Sequence, residues 1–252
     1  MDKPIRVPRN QTALMQLLQR QVSSGHYYWC ADTIPIHKLT RFIDKWSGYA
    51  LRSDAPARAY RKQTKRASVH LCLNPAGFGS LDDADIDGHI NGKEVEVTRF
   101  PTESPVDWWL LSTAGKAGLI DGLPTPSKVF DCRTDAGRLR FKDYELVLQT
   151  KVVKSGGKSK QLKTWTWRLT SQRYKAWEAL LIERAKVRDL AGVVKAIDCL
   201  RAMPMFAGIR MQVIKLIAEA NRMLIKMKLE PIEVPTLPVM RMIELWADEL
   251  AF

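Results

Sequence analysis

The sequence has little of what usually identifies a chemistry or a membrane location. Its four cysteines are scattered, with no C-x-x-C pair, so neither a zinc site nor a disulfide framework is predicted and a reducing cytoplasm fits. No apolar run approaches the roughly 18–20 residues of a membrane span, and the first residues lack the apolar core of a signal peptide. We therefore expect a cytoplasmic protein with no membrane partner.

Familiar catalytic motifs are missing as well. The sequence contains no H-E-x-x-H and no G-x-S-x-G, which argues against a zincin and an α/β-hydrolase. The segment STAGKAGL fails the phosphate-loop pattern, because Leu110 stands where that pattern needs glycine and Ala117 where it needs serine or threonine. An ATPase is therefore not indicated.

Positive charge is abundant, but it is confined to two stretches of the chain. Residues 1–75 carry 13 basic and 4 acidic side chains, and residues 138–188 carry 14 and 4. Residues 76–137, between them, carry 5 and 11, whereas residues 189–252 carry 8 of each. Two basic blocks that can fold onto one face are typical of a polyanion binder, so nucleic acid is the first hypothesis and two solvated faces are the alternative.

Hydrophobic periodicity predicts a mixed fold. It indicates a helix over 12–24, a helix after Pro35, and helices from 172 to the C-terminus, at 172–188, 190–202, 208–229 and 238–250. Alternating or aromatic-rich segments indicate strands over 26–31, 68–75 and 106–113 and a hairpin of 143–153 with 161–170. We expect an α+β protein with an antiparallel sheet, RRM-like as one alternative, flanked by helices and followed by a helical part. The predicted domains are 1–170 and 171–252.

The first basic block consists of a predicted helix, whose basic side chains form a ridge along one side, and a basic segment that follows it. A helix after Pro35 stacks its basic residues on one side, opposite an apolar stripe. The segment RAYRKQTKR, residues 58–66, follows as a dense basic connection around a tyrosine. The predicted nucleic-acid contacts of this block are Lys38, Arg41, Lys45, Arg52, Arg58, Tyr60, Arg61, Lys62, Lys65 and Arg66.

The second basic block is the predicted hairpin. Its lysines can neutralise phosphates, and its tryptophans can stack on unpaired bases, although the core is the alternative place for them. The predicted contacts are Lys151, Lys154, Lys158, Lys160, Lys163, Trp165 and Arg168. Aromatics on a sheet favour single strands, whereas a basic β-ribbon or helix suits a duplex groove.

One segment matches a metal-binding pattern in full. DADIDGHINGKE, residues 83–94, satisfies D-x-D-x-D-G-x5-E and resembles an EF-hand loop over these residues alone. The candidate calcium ligands are Asp83, Asp85, Asp87, Asn91 and Glu94. The competing interpretation is an Asn-Gly hairpin whose acidic side chains are solvated, since no helix is predicted on either side.

Histidines beside the first basic block permit a catalytic interpretation. RNA cleavage without a metal needs a general base, a general acid and a cation for the phosphorane. His26, His37 and Lys38 supply these residue types, and a structural role for each histidine is the alternative.

These observations lead to three hypotheses of different classes. The first is a nucleic-acid-binding protein, with RNA slightly favoured over DNA, that acts as a prokaryotic-type subunit of a ribonucleoprotein or nucleoprotein complex and requires no cofactor. The second is a metal-independent endoribonuclease. The third is a DNA-binding regulator or mobile-element accessory protein.

Overall fold

The computed structural model shows two compact units. They comprise residues 1–137 together with 243–252, and residues 138–242. Both contain helices and antiparallel sheets, so the predicted α+β class is confirmed. Residue 170, the expected domain boundary, lies inside the second unit. The residues that the structure describes are 7–47, 55–74, 105–121, 127–155 and 158–246.

The first unit is built on a four-stranded sheet. Its elements are α1 (Gln11–Ser23), β1 (Tyr28–Pro35), α2 (Leu39–Ser47), α3 (Ala55–Gln63), β2 (Val69–Leu73), β3 (Pro105–Ser112) and β4 (Phe130–Asp131). The strand order is β2-β3-β1-β4, and every neighbouring pair is antiparallel. Asn10 caps the N-terminus of α1, because its side-chain oxygen accepts a hydrogen bond from the backbone N–H of Ala13 at 2.9 Å.

Both faces of this sheet are buried along β3. On one face Cys30 and Leu110 lie in a core with Leu39 and Trp46 of α2, whose apolar stripe is the one that the periodicity predicts. On the opposite face Trp109, Leu111 and Cys72 are also buried, and α1 packs beside β2. Because β3 is covered on both sides, neither face of the sheet is a free platform along this strand.

The predicted RRM-like form of the sheet stays a prediction. An RRM stacks bases on aromatic side chains of its exposed sheet face. Here Trp108 and Trp109 of the central strand β3 are only 2% and 5% exposed, so neither can stack on a base.

The second unit places a hairpin on three helices. Its elements are β5 (Arg140–Phe141), β6 (Tyr144–Ser155), β7 (Lys158–Leu169), α4 (Ser171–Lys186), α5 (Leu190–Arg201) and α6 (Ala207–Lys226). Strands β5, β6 and β7 are antiparallel neighbours in that order. Thr170 caps α4 and Asp189 caps α5 through side-chain oxygens that accept backbone N–H groups. The predicted hairpin and the first three C-terminal helices are therefore confirmed.

Two predictions of local structure are wrong. Residues 58–63, expected in a connection, belong to α3. The helix expected over 238–250 is not formed at 238–246, where Trp246 instead forms a β-bridge with Pro8 and the backbone N–H of Ile243 donates to Gln16 at 3.2 Å. Tertiary partners thus satisfy the backbone there in place of helical hydrogen bonds.

Every helix within the described ranges is too short or too polar to cross a bilayer.

Candidate nucleic-acid interface

The hairpin of the second unit is half buried and half exposed along its length. Strands β6 and β7 pair without interruption from Tyr144 and Leu169 to Ser155 and Lys158. Near its base, Leu146, Trp167 and Leu169 are buried. Farther out the described side chains are exposed on both faces of the ladder, namely Thr150, Val152, Ser159, Gln161, Leu162 and Lys163. We call residues 150–155 and 158–163 the outer ribbon.

The base of the hairpin is fixed to α6 by side-chain and backbone hydrogen bonds. The Gln212 side chain accepts from the backbone N–H of Leu169 at 2.7 Å and donates to its carbonyl at 3.2 Å. The backbone N–H of Gly208 donates to the hydroxyl of Thr166 at 3.0 Å. A Cβ at Gly208 would lie 2.5 Å from the carbonyl oxygen of Trp167, so the helix approaches this closely only because the residue is glycine.

The outer ribbon carries a net positive charge that none of its own residues offsets. It contains five lysines and no acidic residue. Lys163 lies opposite Thr150 and has an exposed side chain, whereas the other four lysines are described by their backbone register alone. The exposed side chains described beside Lys163 are apolar or uncharged, so the charge of this segment comes from its five lysines alone.

Two residues of the hairpin that were predicted to contact nucleic acid have other partners in the structure. Trp165 is only 9% exposed, so it belongs to the core and cannot stack on a base. Arg168 forms an ion pair of 2.7 Å with the buried Glu145, which Arg138 approaches at 3.5 Å. The buried carboxylate therefore engages Arg168 and ties β7 to β6, and because 38% of the arginine side chain is exposed its phosphate contact stays a prediction.

The ridge predicted on the first basic block exists in part. Lys38, Arg41 and Lys45 are all exposed, the first in a 3₁₀ turn and the other two on α2. The Lys45 ammonium lies 5.6 Å from the ring centroid of Trp46, so the methylene groups of this lysine run over the buried indole of the neighbouring residue. The fourth member, Arg52, lies outside the described residues.

A second basic cluster forms where α3 meets the sheet. Lys62, Lys65 and Arg66 are exposed there, and the exposed Lys116 joins them from the loop after β3. The backbone N–H of Lys116 donates to the carbonyl of Lys65 at 3.0 Å, and its own carbonyl accepts from Ala67 at 2.9 Å. We call these four cations the basic corner. Lys116 was missed from the sequence because it sits in the acidic segment, and only long-range pairing brings it here.

The remaining predicted residues of this block differ in their placement. Tyr60 is 56% exposed on α3 and is accessible to a ligand. Arg61, one residue on, is only 8% exposed, so the expectation that it contacts phosphates is wrong: it points into the unit while its neighbours point out. Arg58 lies within α3, and its side chain is not among those described.

An exposed arginine that the sequence did not single out has a structural role. Arg133 donates to both oxygens of Asp131, at 2.9 Å from Nε and 2.7 Å from Nη2, and stacks 4.8 Å from the ring of Tyr27. It also donates to the Tyr28 hydroxyl at 2.9 Å. This arginine holds the pKa of Asp131 below its usual range through those hydrogen bonds. The cluster therefore secures the edge strand β4.

The three catalytic candidates are not brought together. His26 precedes β1 and is buried at 6% exposure, whereas His37 and Lys38 follow β1 and are exposed. A strand rises about 3.3 Å per residue, so β1 holds the two ends more than roughly 20 Å apart. His26 is therefore not within the hydrogen-bond reach of His37 and Lys38 that proton transfer between them would need.

His26 has a structural environment. Its Nδ1 lies 3.0 Å from the Ser24 hydroxyl and 3.1 Å from the carbonyl of Gln21, and its ring meets the ring of His70 edge-on at 4.7 Å. Within the described residues its Nε2 is buried without a hydrogen-bond partner. Burial lowers the pKa of His26 below 6.5, although the hydrogen bond to Gln21 opposes that shift.

This burial predicts a pH-dependent stability. Because the folded-state pKa of His26 lies below its unfolded value, the unfolded chain binds a proton first as the pH falls. The free energy of unfolding should be intact above pH 6.5 and decline below it, by at most about 1.4 kcal/mol per pH unit from this group. Urea unfolding of the first unit at several pH values, compared with His26→Gln, measures it. His37→Gln, at an exposed site, is the control, and an unchanged pH profile in His26→Gln would refute the assignment.

The calcium prediction falls on residues that the structure does not describe. Asp83, Asp85, Asp87, Asn91 and Glu94 all lie between residues 75 and 104. Elsewhere, in the ranges with described side chains, no group of three or more histidine, cysteine or carboxylate residues is arranged to hold a metal ion. The calcium site stays a prediction.

Comparisons with known proteins add no assignment to this geometry. No family model matches the chain, and neither a curated protein nor a solved structure matches it.

Proposed function

We propose that this protein binds nucleic acid and that the outer ribbon is its principal contact. One observation carries the proposal: a segment with five lysines and no acidic residue extends along a continuous two-stranded ladder whose described side chains are exposed on both faces. A lysine-rich ribbon of this kind neutralises phosphates and releases their counterions, which is the main source of sequence-independent affinity for nucleic acids.

The basic corner supports the same function from the first unit. Two backbone hydrogen bonds join the loop that carries Lys65 and Arg66, just after α3, to the loop that carries Lys116. Loops fixed in this way keep like charges close, which costs free energy unless an anion binds them. Phosphate is the anion that the charge and exposure of the corner favour, and the exposed ridge of Lys38, Arg41 and Lys45 offers further contacts.

The burial and the separation of the predicted site residues favour one of the three hypotheses over the others. With Trp165 in the core, the stacking argument for single-stranded RNA loses its main residue on the hairpin. The separation of His26 from His37 gives the endoribonuclease no assembled site. A binding protein with a phosphate-contacting ribbon is therefore favoured, and membership of a nucleoprotein complex stays a prediction.

An equilibrium titration of the native chain tests this proposal. We expect fluorescence anisotropy of labelled probes of about 24 nucleotides or base pairs to report binding that weakens linearly in a plot of log affinity against log salt. A ribbon that neutralises four or five phosphates gives a slope of about −4 on duplex DNA. EDTA should leave the affinity unchanged. Failure of every probe to bind at low salt would end the proposal.

A further inference from the structure

The shape of the outer ribbon restricts which nucleic acid it can enter. Paired strands lie about 4.8 Å apart, and a sheet with its side chains is about 10 Å thick. The major groove of B-form DNA is about 12 Å wide and the minor groove about 6 Å, so the ribbon fits the first without distortion of the duplex. Double-stranded RNA has a deep, narrow major groove that side chains do not reach.

The residue types of the outer ribbon also favour a duplex over a single strand. Residues 150–163 contain no aromatic residue, so they have no ring on which an unpaired base could stack. Their described side chains instead suit base edges. Gln161 can pair with adenine, and the apolar Val152, its cross-strand partner on the same face and 63% exposed, can contact thymine methyl groups.

The register distributes charge in a way that suits a groove. Successive residues of a strand alternate between the two faces of the ladder. Lys154 and Lys163 hold positions on one face of the ladder, whereas Lys151, Lys158 and Lys160 hold positions on the other face. A ribbon that turns one face to the base edges meets a phosphate chain along each of its two edges, and both strands supply lysine positions for those contacts, two on β6 and three on β7.

We infer that the outer ribbon inserts into the major groove of B-form DNA. The six residue pairs from Thr150–Lys163 to Ser155–Lys158 span roughly 20 Å, which corresponds to about six base pairs at 3.4 Å each. The inference rests on the proposed function and adds the class of nucleic acid and the groove.

The test compares probes that differ in one property at a time, with the native full-length chain at a single salt concentration. The probes are duplex DNA, duplex RNA of the same sequence, single-stranded DNA with the same number of phosphates, and duplex DNA whose cytosines carry glucosylated hydroxymethyl groups. The glucose fills the major groove without changing the charge. Distamycin, which fills the minor groove, is added to unmodified duplex DNA in a parallel titration.

We expect unmodified duplex DNA to bind at least about tenfold more tightly than duplex RNA, single strands or glucosylated duplex DNA, since only it offers an open major groove. Distamycin should change the affinity less than about threefold. A double variant, Val152→Ala with Gln161→Ala, should reduce the preference for duplex DNA over duplex RNA and leave the salt slope unchanged, because both changed side chains are uncharged.

Other outcomes separate this inference from the proposed function. Equal or tighter binding of RNA or single strands would overturn the major-groove inference and leave nucleic-acid binding intact. Binding that distamycin abolishes and glucose does not affect would overturn it in favour of the minor groove. Absence of binding to all four probes would overturn both.

Discussion

Replacement of all five lysines of the outer ribbon by glutamine is expected to weaken nucleic-acid binding at least about 100-fold near 0.1 M salt. The variant carries these changes at Lys151, Lys154, Lys158, Lys160 and Lys163. Each lost phosphate contact removes about 0.9 from the slope of log affinity against log salt on duplex DNA, so the slope should fall in magnitude by about 4. Anisotropy titrations at several salt concentrations measure both quantities.

The same unit offers a matched control for this variant. Five exposed lysines on its helices can be changed to glutamine with an identical change in net charge, namely Lys175, Lys186, Lys195, Lys215 and Lys226. If the ribbon is the contact, the control should lose less than about fivefold in affinity, since screening leaves distant charges little influence. Equal losses in the two variants would show that net charge, and not the ribbon, drives binding.

Trp167→Ala is expected to lower the free energy of unfolding of the second unit by about 3–5 kcal/mol. Trp167 is fully buried at the base of the hairpin, and Gly208 of α6 packs against its backbone carbonyl. Truncation leaves a cavity the size of an indole beneath the ribbon. Urea-dependent hydrogen exchange of peptides from α6 measures the loss in this unit alone, without assuming that the whole chain unfolds in one step.

Leu162→Ala is the comparison for this change. Leu162 lies on the same strand but is 47% exposed, so its truncation should lower the unfolding free energy by less than about 1 kcal/mol. A loss of under about 1 kcal/mol in Trp167→Ala as well would contradict the view that the base of the hairpin belongs to the core of the second unit.

Local patterns in the sequence were sufficient for the elements that have strong periodicity. The alternating hairpin, the apolar stripe of α2 and the buried strand β3 all form close to where they are predicted. The segment at 238–246 was missed because its apolar spacing suits a helix, whereas its backbone bonds to distant residues, as Ile243 does to Gln16. Pairing of that kind leaves no signal in a local window.

The sequence was sufficient to predict that the candidate interface is basic, but not which of its residues are exposed. The lysines of the hairpin are visible as charge, yet the burial of Trp165 and Arg61 depends on which face of an element the rest of the chain covers. Lys116 enters the basic corner only because its loop hydrogen-bonds to the carbonyl of Lys65, some fifty residues earlier in the chain. Charge composition therefore identified a class of partner, and tertiary structure selected the residues that can reach it.

The most direct test of the account is a photocrosslinking experiment that asks where the nucleic acid lies. A benzophenone amino acid is placed at Gln161, exposed on the outer ribbon, and in a second protein at Lys195, exposed on α5 of the same unit. The account predicts a crosslink to labelled duplex DNA from position 161, removed by high salt, and little or none from position 195. Equal crosslinking at both positions, or crosslinking at 195 alone, would contradict the assignment of the outer ribbon as the nucleic-acid contact.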